Sequence, residues 1–163
     1  DRMFMSSEKN QIITFNCILK NKLGQLISST YNRDVLTGVI DGETLLQGLS
    51  QSLQNIVKGE KRRIELKAID AYGFYDLKKV ILFPRKNLPR QISVGQTISI
   101  VGKSGTVRTY KALELHENMV SLDGNHPLAG QDLIFEIEAL DARLATPSEI
   151  ESAVNSVSVQ LLH

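Results

Sequence analysis

The run Arg63-Ile64-Glu65-Leu66-Lys67-Ala68-Ile69 alternates charged and apolar side chains. That period of two fits one local structure, a half-buried strand that turns Ile64, Leu66 and Ala68 inward. Two other stretches share the pattern. Ile13, Phe15, Cys17 and Leu19 alternate with Thr14, Asn16 and Ile18, and Leu133–Leu140 sets Phe135, Ile137 and Ala139 against Glu136 and Glu138. From Glu43 to Ile56, Leu45, Leu49, Leu53 and Ile56 fall at helical spacing, which predicts a short amphipathic helix laid on the sheet. Lys22-Leu23-Gly24-Gln25 reads as a turn. Thr146-Pro147-Ser148-Glu149 is a capping box with proline at the first helical position, so a short helix should follow before a tail. Met3–Asn10 reads as a disordered lead.

The segment between the second and third alternating stretches is written differently. Val80-Ile81-Leu82-Phe83 runs into Pro84, Leu88 precedes Pro89, and Gly95, Gly102 and Gly105 punctuate short runs. Thr97–Val101 and Val107–Leu115 flank Gly102-Lys103-Ser104-Gly105 as a hairpin would, and Glu117-Asn118 turns the chain into Val120–Leu122. This predicts a small all-β insert. Charge marks the same boundary. The 163-residue chain has a net charge of only +1, yet Lys78, Lys79, Arg85, Lys86, Arg90, Lys103, Arg108 and Lys111 fall in one stretch free of acidic residues, leaving −7 for the rest. Two bodies with different surfaces are expected, the basic one open to an anionic partner.

Several chemistries are excluded by spacing. Gly102-Lys103-Ser104 follows Gly95 at the wrong distance for a phosphate-binding loop. His116, His126 and His163 are isolated and Cys17 is the only thiol, so neither a metal site nor an internal disulfide is expected. No Gly-x-Ser-x-Gly elbow occurs. Cys17, on an inward strand face, reads as a small hydrophobe. No apolar run approaches the ~20 residues that cross a bilayer, and no signal peptide is legible, so the expectation is a cytoplasmic protein without cofactor or membrane partner.

Two polar and aromatic signatures carry a resemblance. Asp70-Ala71-Tyr72-Gly73-Phe74-Tyr75-Asp76 and Asp123-Gly124-Asn125-His126-Pro127-Leu128-Ala129-Gly130-Gln131-Asp132-Leu133-Ile134-Phe135 resemble those flanking the flap in the SlyD-like branch of FKBP-type peptidyl-prolyl isomerases. Leu45-Leu46-Gln47-Gly48-Leu49 and Val57-Lys58-Gly59-Glu60-Lys61 extend the likeness over about residues 8–150. The resemblance implies an α+β fold, an FKBP-type antiparallel half-barrel wrapped on a short helix with a small all-β insert-in-flap domain. Residues 8–79 and 122–146 would form the isomerase domain, 80–121 the insert that binds unfolded polypeptide, and 147–163 a helix and tail. It further implies that Tyr72 offers its hydroxyl, and the backbone near Leu46 an N–H, to the substrate carbonyl. Leu49 would be the pocket floor, with Ile27, Leu128 and Phe135 as walls.

Two positions depart from the family. Cys17 stands where a pocket tyrosine is usual and Ser28 where an aspartate is usual, and the aromatics common before the helix are missing around Leu36–Gly38. A shallower, less aromatic pocket predicts weakened isomerase activity. No counterpart of the family's metal-binding tail is present, so nickel handling is not implied. Two functions are therefore expected to compete. One is an isomerase and folding chaperone for unfolded, nascent or proline-containing polypeptides, with Val80, Ile81, Leu82, Phe83, Ile98, Ile100 and Leu115 as an exposed client surface. The other is a non-catalytic scaffold whose basic insert docks on an anionic partner such as ribosomal RNA, without reading nucleic-acid sequence.

Overall fold

A computed structural model describes residues 10–42 and 45–154. The chain divides into two units, one formed by the residues up to Phe74 and from Gly130, the other by Tyr75–Ala129. The first unit carries β1 (Gln11–Asn21), β2 (Leu26–Ser29), β3 (Leu36–Val39), α1 (Gln47–Ser52) and β4 (Lys61–Leu66). The second carries β5 (Val80–Pro84), β6 (Thr97–Val101), β7 (Val107–Leu115) and β8 (Met119–Asp123), and the chain then returns to the first unit as β9 (Leu133–Leu144) and α2 (Pro147–Val154).

All strand pairs are antiparallel, as the α+β half-barrel requires. In the first unit β9 lies between β1 and β4, while β2 and β3 both pair with β1, at different ends. Alternation decides the core. Ile13, Phe15, Cys17 and Leu19 of β1, Ile64 and Leu66 of β4, and Phe135, Ile137 and Ala139 of β9 are all buried. Leu45, Leu49, Leu53 and Ile56 cover them, also buried. Removing such side chains from water stabilises by roughly 1.5–3 kcal/mol each.

The described structure corrects the expected element lengths. The helix spans only Gln47–Ser52, since Leu53 already leaves helical geometry and Asn55 takes a positive φ of 62°; Glu43 lies outside the described residues. Its C-terminal carbonyls are held from outside. Arg62 donates to the carbonyls of Ser52 (2.9 Å) and Gln54 (3.1 Å), and is itself oriented by Glu60 Oε2. The Gln11 side-chain amide brackets the following loop, donating to Ile56 O and accepting from Asn55 N–H, each at 3.0 Å. The second alternating stretch stops being a strand at Leu66, which leaves Ile69 66% exposed. In β9 the register slips: Thr14 faces Asp141 and Phe15 faces Ala139, so Leu140 is bulged out and the strand runs on to Leu144.

The capping box forms as read. Thr146 Oγ1 accepts the Glu149 N–H at 3.1 Å and Glu149 Oε1 accepts the Thr146 N–H at 2.9 Å. Arg143 also grips Glu149, and with Thr146 holds its carboxyl down at about 2. Asn10 is tied into the fold, donating to Ile40 O and accepting from Ala145 N–H; residues 3–9 and 156–163, read as lead and tail, lie outside the described residues.

In the second unit the sheet order is β5-β8-β7-β6. Its core is small, Ile92, Ala112, Val120 and Leu122, with Ile81, Phe83, Leu88, Ile98, Ile100, Tyr110 and Leu115 partly buried around it.

Helix and loop in the first unit meet at a glycine. A Cβ on Gly48 would lie 2.6 Å from the Asp70 carbonyl oxygen and 3.3 Å from Leu66 Cδ2. Gly48→Ala must push the helix off that backbone, and the expected cost is about 1–3 kcal/mol in urea unfolding. An unchanged or raised midpoint would show that the helix does not rest there.

Candidate active site

β4 ends because the next N–H leaves the ladder. Ala68 donates to Asp132 Oδ1 at 2.8 Å, and its own carbonyl accepts from Ala71 (3.0 Å) and Gly73 (2.8 Å). The chain closes into a 3-10 turn over Ala68–Asp70 and then reverses at Gly73, whose φ of 79° an L side chain rarely adopts. Gly130 N–H caps the reversal by donating to Gly73 O at 2.7 Å. Tyr72 therefore sits on a loop pinned on both flanks. Asp132 and Gly130 belong to the second signature and Gly73 to the first, so part of what makes those signatures distinctive is structural, the positioning of Tyr72.

Leu49 and Phe135 are both 0% exposed. Phe135 stands in a cross-strand row between Leu19 of β1 and Ile64 of β4, and Cys17 faces Ile137 in the adjoining row. Thr30 fixes Cys17: its hydroxyl accepts the Cys17 N–H at 2.9 Å and its N–H donates to Cys17 O at 3.0 Å. Burial pushes the Cys17 thiol up to about 12, helped by the Glu136 carboxylate. Burial likewise raises the half-buried Tyr72 phenol to about 12, with the Cys17 sulfur contributing. Neither group ionises near neutrality. The pair can donate hydrogen bonds and line a dry surface, whereas a nucleophile or a general base would need the opposite shift.

The remaining expected site residues fall in varied places. Leu46, half-buried, immediately precedes α1; its carbonyl accepts the Ser50 N–H at 2.9 Å, and its own N–H meets no acceptor among the described residues. Ile27 is 37% exposed on edge strand β2, and Ser28 beside it is half-buried. Around Leu36–Gly38 the space is taken by Leu45, whose side chain comes within 3.0 Å of where a Gly38 Cβ would be. Leu128 lies in the second unit, buried, with its N–H donating to His126 Nδ1 at 2.9 Å. Among the described residues no three His, Cys, Asp or Glu side chains gather to hold a metal, and no helix is long and apolar enough to cross a membrane.

The expected client surface needs correction. Of its seven residues only Leu82 is largely exposed, at 63%. Val80 is half-buried, and Ile81, Phe83, Ile98, Ile100 and Leu115 pack partly against the unit's own core. The alternation that makes these strands also turns those side chains toward Val120 and Leu122, so they form a half-covered rim. Apolar residues of this unit that are more open include Leu77, at 78%, with Val94, Val101 and Val107. Gly48, Arg62, Thr30 and Asp132 were not singled out for roles. Gly48 and Asp132 sat inside quoted signatures, while Arg62 and Thr30 act through backbone contacts that no spacing reveals.

The raised thiol has a consequence for stability. A neutral Cys17 is favoured by folding, so its contribution is complete below its ordinary 9.0 and is lost as pH rises toward 12. Tyr72 follows the same sign from 10.0 upward. The urea midpoint of the wild type is expected to fall from about pH 9, and that of Cys17→Ser about one unit later. Superimposable wild-type and Cys17→Ser profiles would contradict this.

Comparison with known proteins agrees with the geometry. The chain is 31% identical over 140 residues to the FKBP-type peptidyl-prolyl cis-trans isomerase SlyD of Aeromonas hydrophila, covering 85% of this chain and 66% of that protein. It is 28% identical to SlyD of Pasteurella multocida, covering 90% and 74%, and 28% identical to SlyD of Treponema pallidum, covering 85% and 80%. The chain thus spans about two thirds to four fifths of the length of these relatives. The sequence profile of the FKBP-type peptidyl-prolyl cis-trans isomerases matches residues 5–140, a span that holds β1 to β8, most of β9 and the Tyr72 loop, and the chain belongs to that family.

Proposed function

We propose that this chain catalyses cis-trans isomerisation of X–Pro bonds in a pocket of first-unit residues, and that its second unit holds unfolded client segments. The observation that carries the reading is Tyr72, a neutral hydroxyl on a loop pinned at both flanks and close enough to the buried Cys17 to feel a charge on its sulfur. Rotation about an X–Pro bond meets a barrier of roughly 20 kcal/mol because the planar amide loses resonance, and no covalent bond need break. The twisted amide is less polar than the planar one, so a dry surface penalises it less. Tyr72 donates to the substrate carbonyl, the Leu46 N–H supplies a second donor, Ile27 bounds the proline ring, and the wholly buried Leu49 and Phe135 form the rigid apolar backing behind it. Cys17 and Ser28 in place of larger or charged polar groups leave this pocket shallower, and the rate is correspondingly reduced.

Client binding rests on the sheet of the second unit. The order β5-β8-β7-β6 leaves β5 and β6 as edges, and an extended polypeptide can add to an edge through backbone hydrogen bonds whatever its sequence. Val80, Ile81, Phe83 and the exposed Leu82 on β5, or Ile98 and Ile100 on β6, give apolar side chains of a client at that edge somewhere to rest. A lone buried thiol suits a reducing compartment, and we place the protein in the cytoplasm.

Isomerisation of a short proline peptide tests the catalytic part. Because nothing in the pocket ionises near neutrality, kcat/KM is expected to stay level between about pH 5.5 and 8.5. Tyr72→Phe is expected to lower it about tenfold, the loss of roughly one hydrogen bond in the transition state. A bell-shaped profile, or an unchanged rate in Tyr72→Phe, would contradict the mechanism.

A further inference from the structure

The strand β5 has cations at both ends. Lys78 and Lys79 precede Val80, and Arg85, Lys86 and Arg90 follow Pro84. Each end opens on a groove. At the first, Lys78, Lys79 and Arg108 surround a cleft of about 400 Å³ that also contains Ile81 and Tyr110. At the second, Arg85, Lys86 and Arg90 line one of about 770 Å³ with Leu88 and Met119, where Glu117 is the one carboxylate. The ion pairs among the described residues, Lys20–Glu136, Arg62–Glu60, Arg63–Glu65 and Arg143–Glu149, all lie in the first unit. Of the eight cations between Lys78 and Lys111, Lys111 faces Asp123 across the β7–β8 ladder and helps hold its carboxyl down, and none of the other seven forms an ion pair with a carboxylate among the described residues. Of the four acidic residues in the second unit, Asp123 is occupied by the Tyr75 hydroxyl at 2.8 Å and the Asn125 amide at 2.8 Å, and Asp76 by the Lys78 N–H at 2.9 Å.

We infer that the second unit selects client segments in which a short apolar stretch is flanked by carboxylates. This rests on the client-binding reading above and adds a charge rule to it. An extended segment laid along β5 places four or five residues beside Val80–Pro84, and its flanking residues beside Lys78–Lys79 at one end and Arg85–Lys86 at the other. Apolar client side chains meet Val80, Ile81, Leu82 and Phe83 of β5 itself; Asp or Glu at the flanks meet cations that no carboxylate engages. Basic flanks meet like charge, which rejects them. The same repulsion blocks edge-to-edge pairing of two copies of this chain through β5, a role that charged residues commonly serve at exposed edges. Nucleic acid fits the pattern less well. The cations lie in two clusters separated by an apolar strand, and stacking a strand of bases needs a row of exposed aromatic faces, whereas the aromatics of this sheet, Phe83 and Tyr110, are partly buried against its core.

Three fluorescent proline-free peptides with one common five-residue apolar centre, flanked at both ends by Asp-Glu, Ser-Ser or Lys-Lys, test the rule by anisotropy on the full chain at low salt. The acid-flanked peptide is expected to bind about tenfold tighter than the serine-flanked one, and the lysine-flanked peptide weakest, the differences shrinking with added salt. The exposed quadruple replacement Lys78→Glu, Lys79→Glu, Lys86→Glu, Arg90→Glu is expected to reverse the order. Equal affinity for all three would overturn the charge rule while leaving client binding intact; no binding of any peptide would overturn both. Tighter binding of a ten-nucleotide single-stranded RNA than of the acid-flanked peptide would overturn the rule in favour of a nucleic-acid partner. A quadruple variant that keeps its far-ultraviolet circular dichroism and still prefers the acid-flanked peptide would likewise refute it.

Discussion

The first unit depends on the return of β9. That strand fills the gap between β1 and β4, pairing with β1 from Asn21–Leu133 to Gln11–Leu144 and with β4 from Leu66–Leu133 to Lys61–Glu138. Without it the inward faces of β1 and β4 share no sheet and α1 has nothing continuous to cover. Closing so long a loop costs chain entropy that grows only slowly with length, so a whole unit can be accommodated between Phe74 and Gly130 provided the two crossing points are held. Backbone groups hold them. Gly130 N–H to Gly73 O and Ala68 N–H to the Asp132 carboxylate join the outgoing and returning chains. The same contacts fix the loop that presents Tyr72, so closure of the fold and placement of the hydroxyl share one set of hydrogen bonds.

The proposed site would work by what it excludes. Burial keeps both the phenol of Tyr72 and the thiol of Cys17 protonated, and the nearby Glu136 carboxylate belongs to the other face of β9, where it pairs with Lys20 at 3.1 Å. An amide that must only twist needs no proton shuttle. It needs a poorly polar surface and a donor in place, and precision comes from Thr30 behind Cys17 and from the Gly48 contact that seats α1 against Asp70. At position 17 the wholly buried thiol keeps that part of the interior apolar and protonated.

Much of this was legible in the sequence. Strict alternation placed Phe15, Cys17, Ile64, Phe135 and Ile137 in the core without reference to any relative, and the capping box at Thr146–Glu149 formed as written. Features set by tertiary contacts were not legible. The helix stops at Ser52 because Arg62, ten residues on, and Gln11, forty residues before, provide the partners for the carbonyls and amide that follow. Strand β4 stops at Leu66 because a carboxylate in the second signature captures the next ladder donor. Sequence alternation marks Ile81, Phe83, Ile98 and Ile100 as strand residues equally well whether their face is open or covered, and only the packing of Val120, Leu122 and Ile92 shows that they are half covered.

In the function proposed above, two units of different surface charge divide the work between catalysing a rotation and keeping the rotating segment at hand. The second unit places Lys78, Lys79, Arg85, Lys86 and Arg90 at the two ends of an edge strand, while the ion pairs of the described residues all lie in the first. The most direct measurement of that division compares the full chain with a version in which Tyr75–Ala129 is replaced by a short linker, a small gap since Gly73 and Gly130 are already hydrogen-bonded. Both are assayed on a short proline peptide and on proline-limited refolding of a whole protein. The two-unit account predicts comparable peptide isomerisation with refolding catalysis lowered at least tenfold in the shortened chain. Equal acceleration of refolding by both would contradict it.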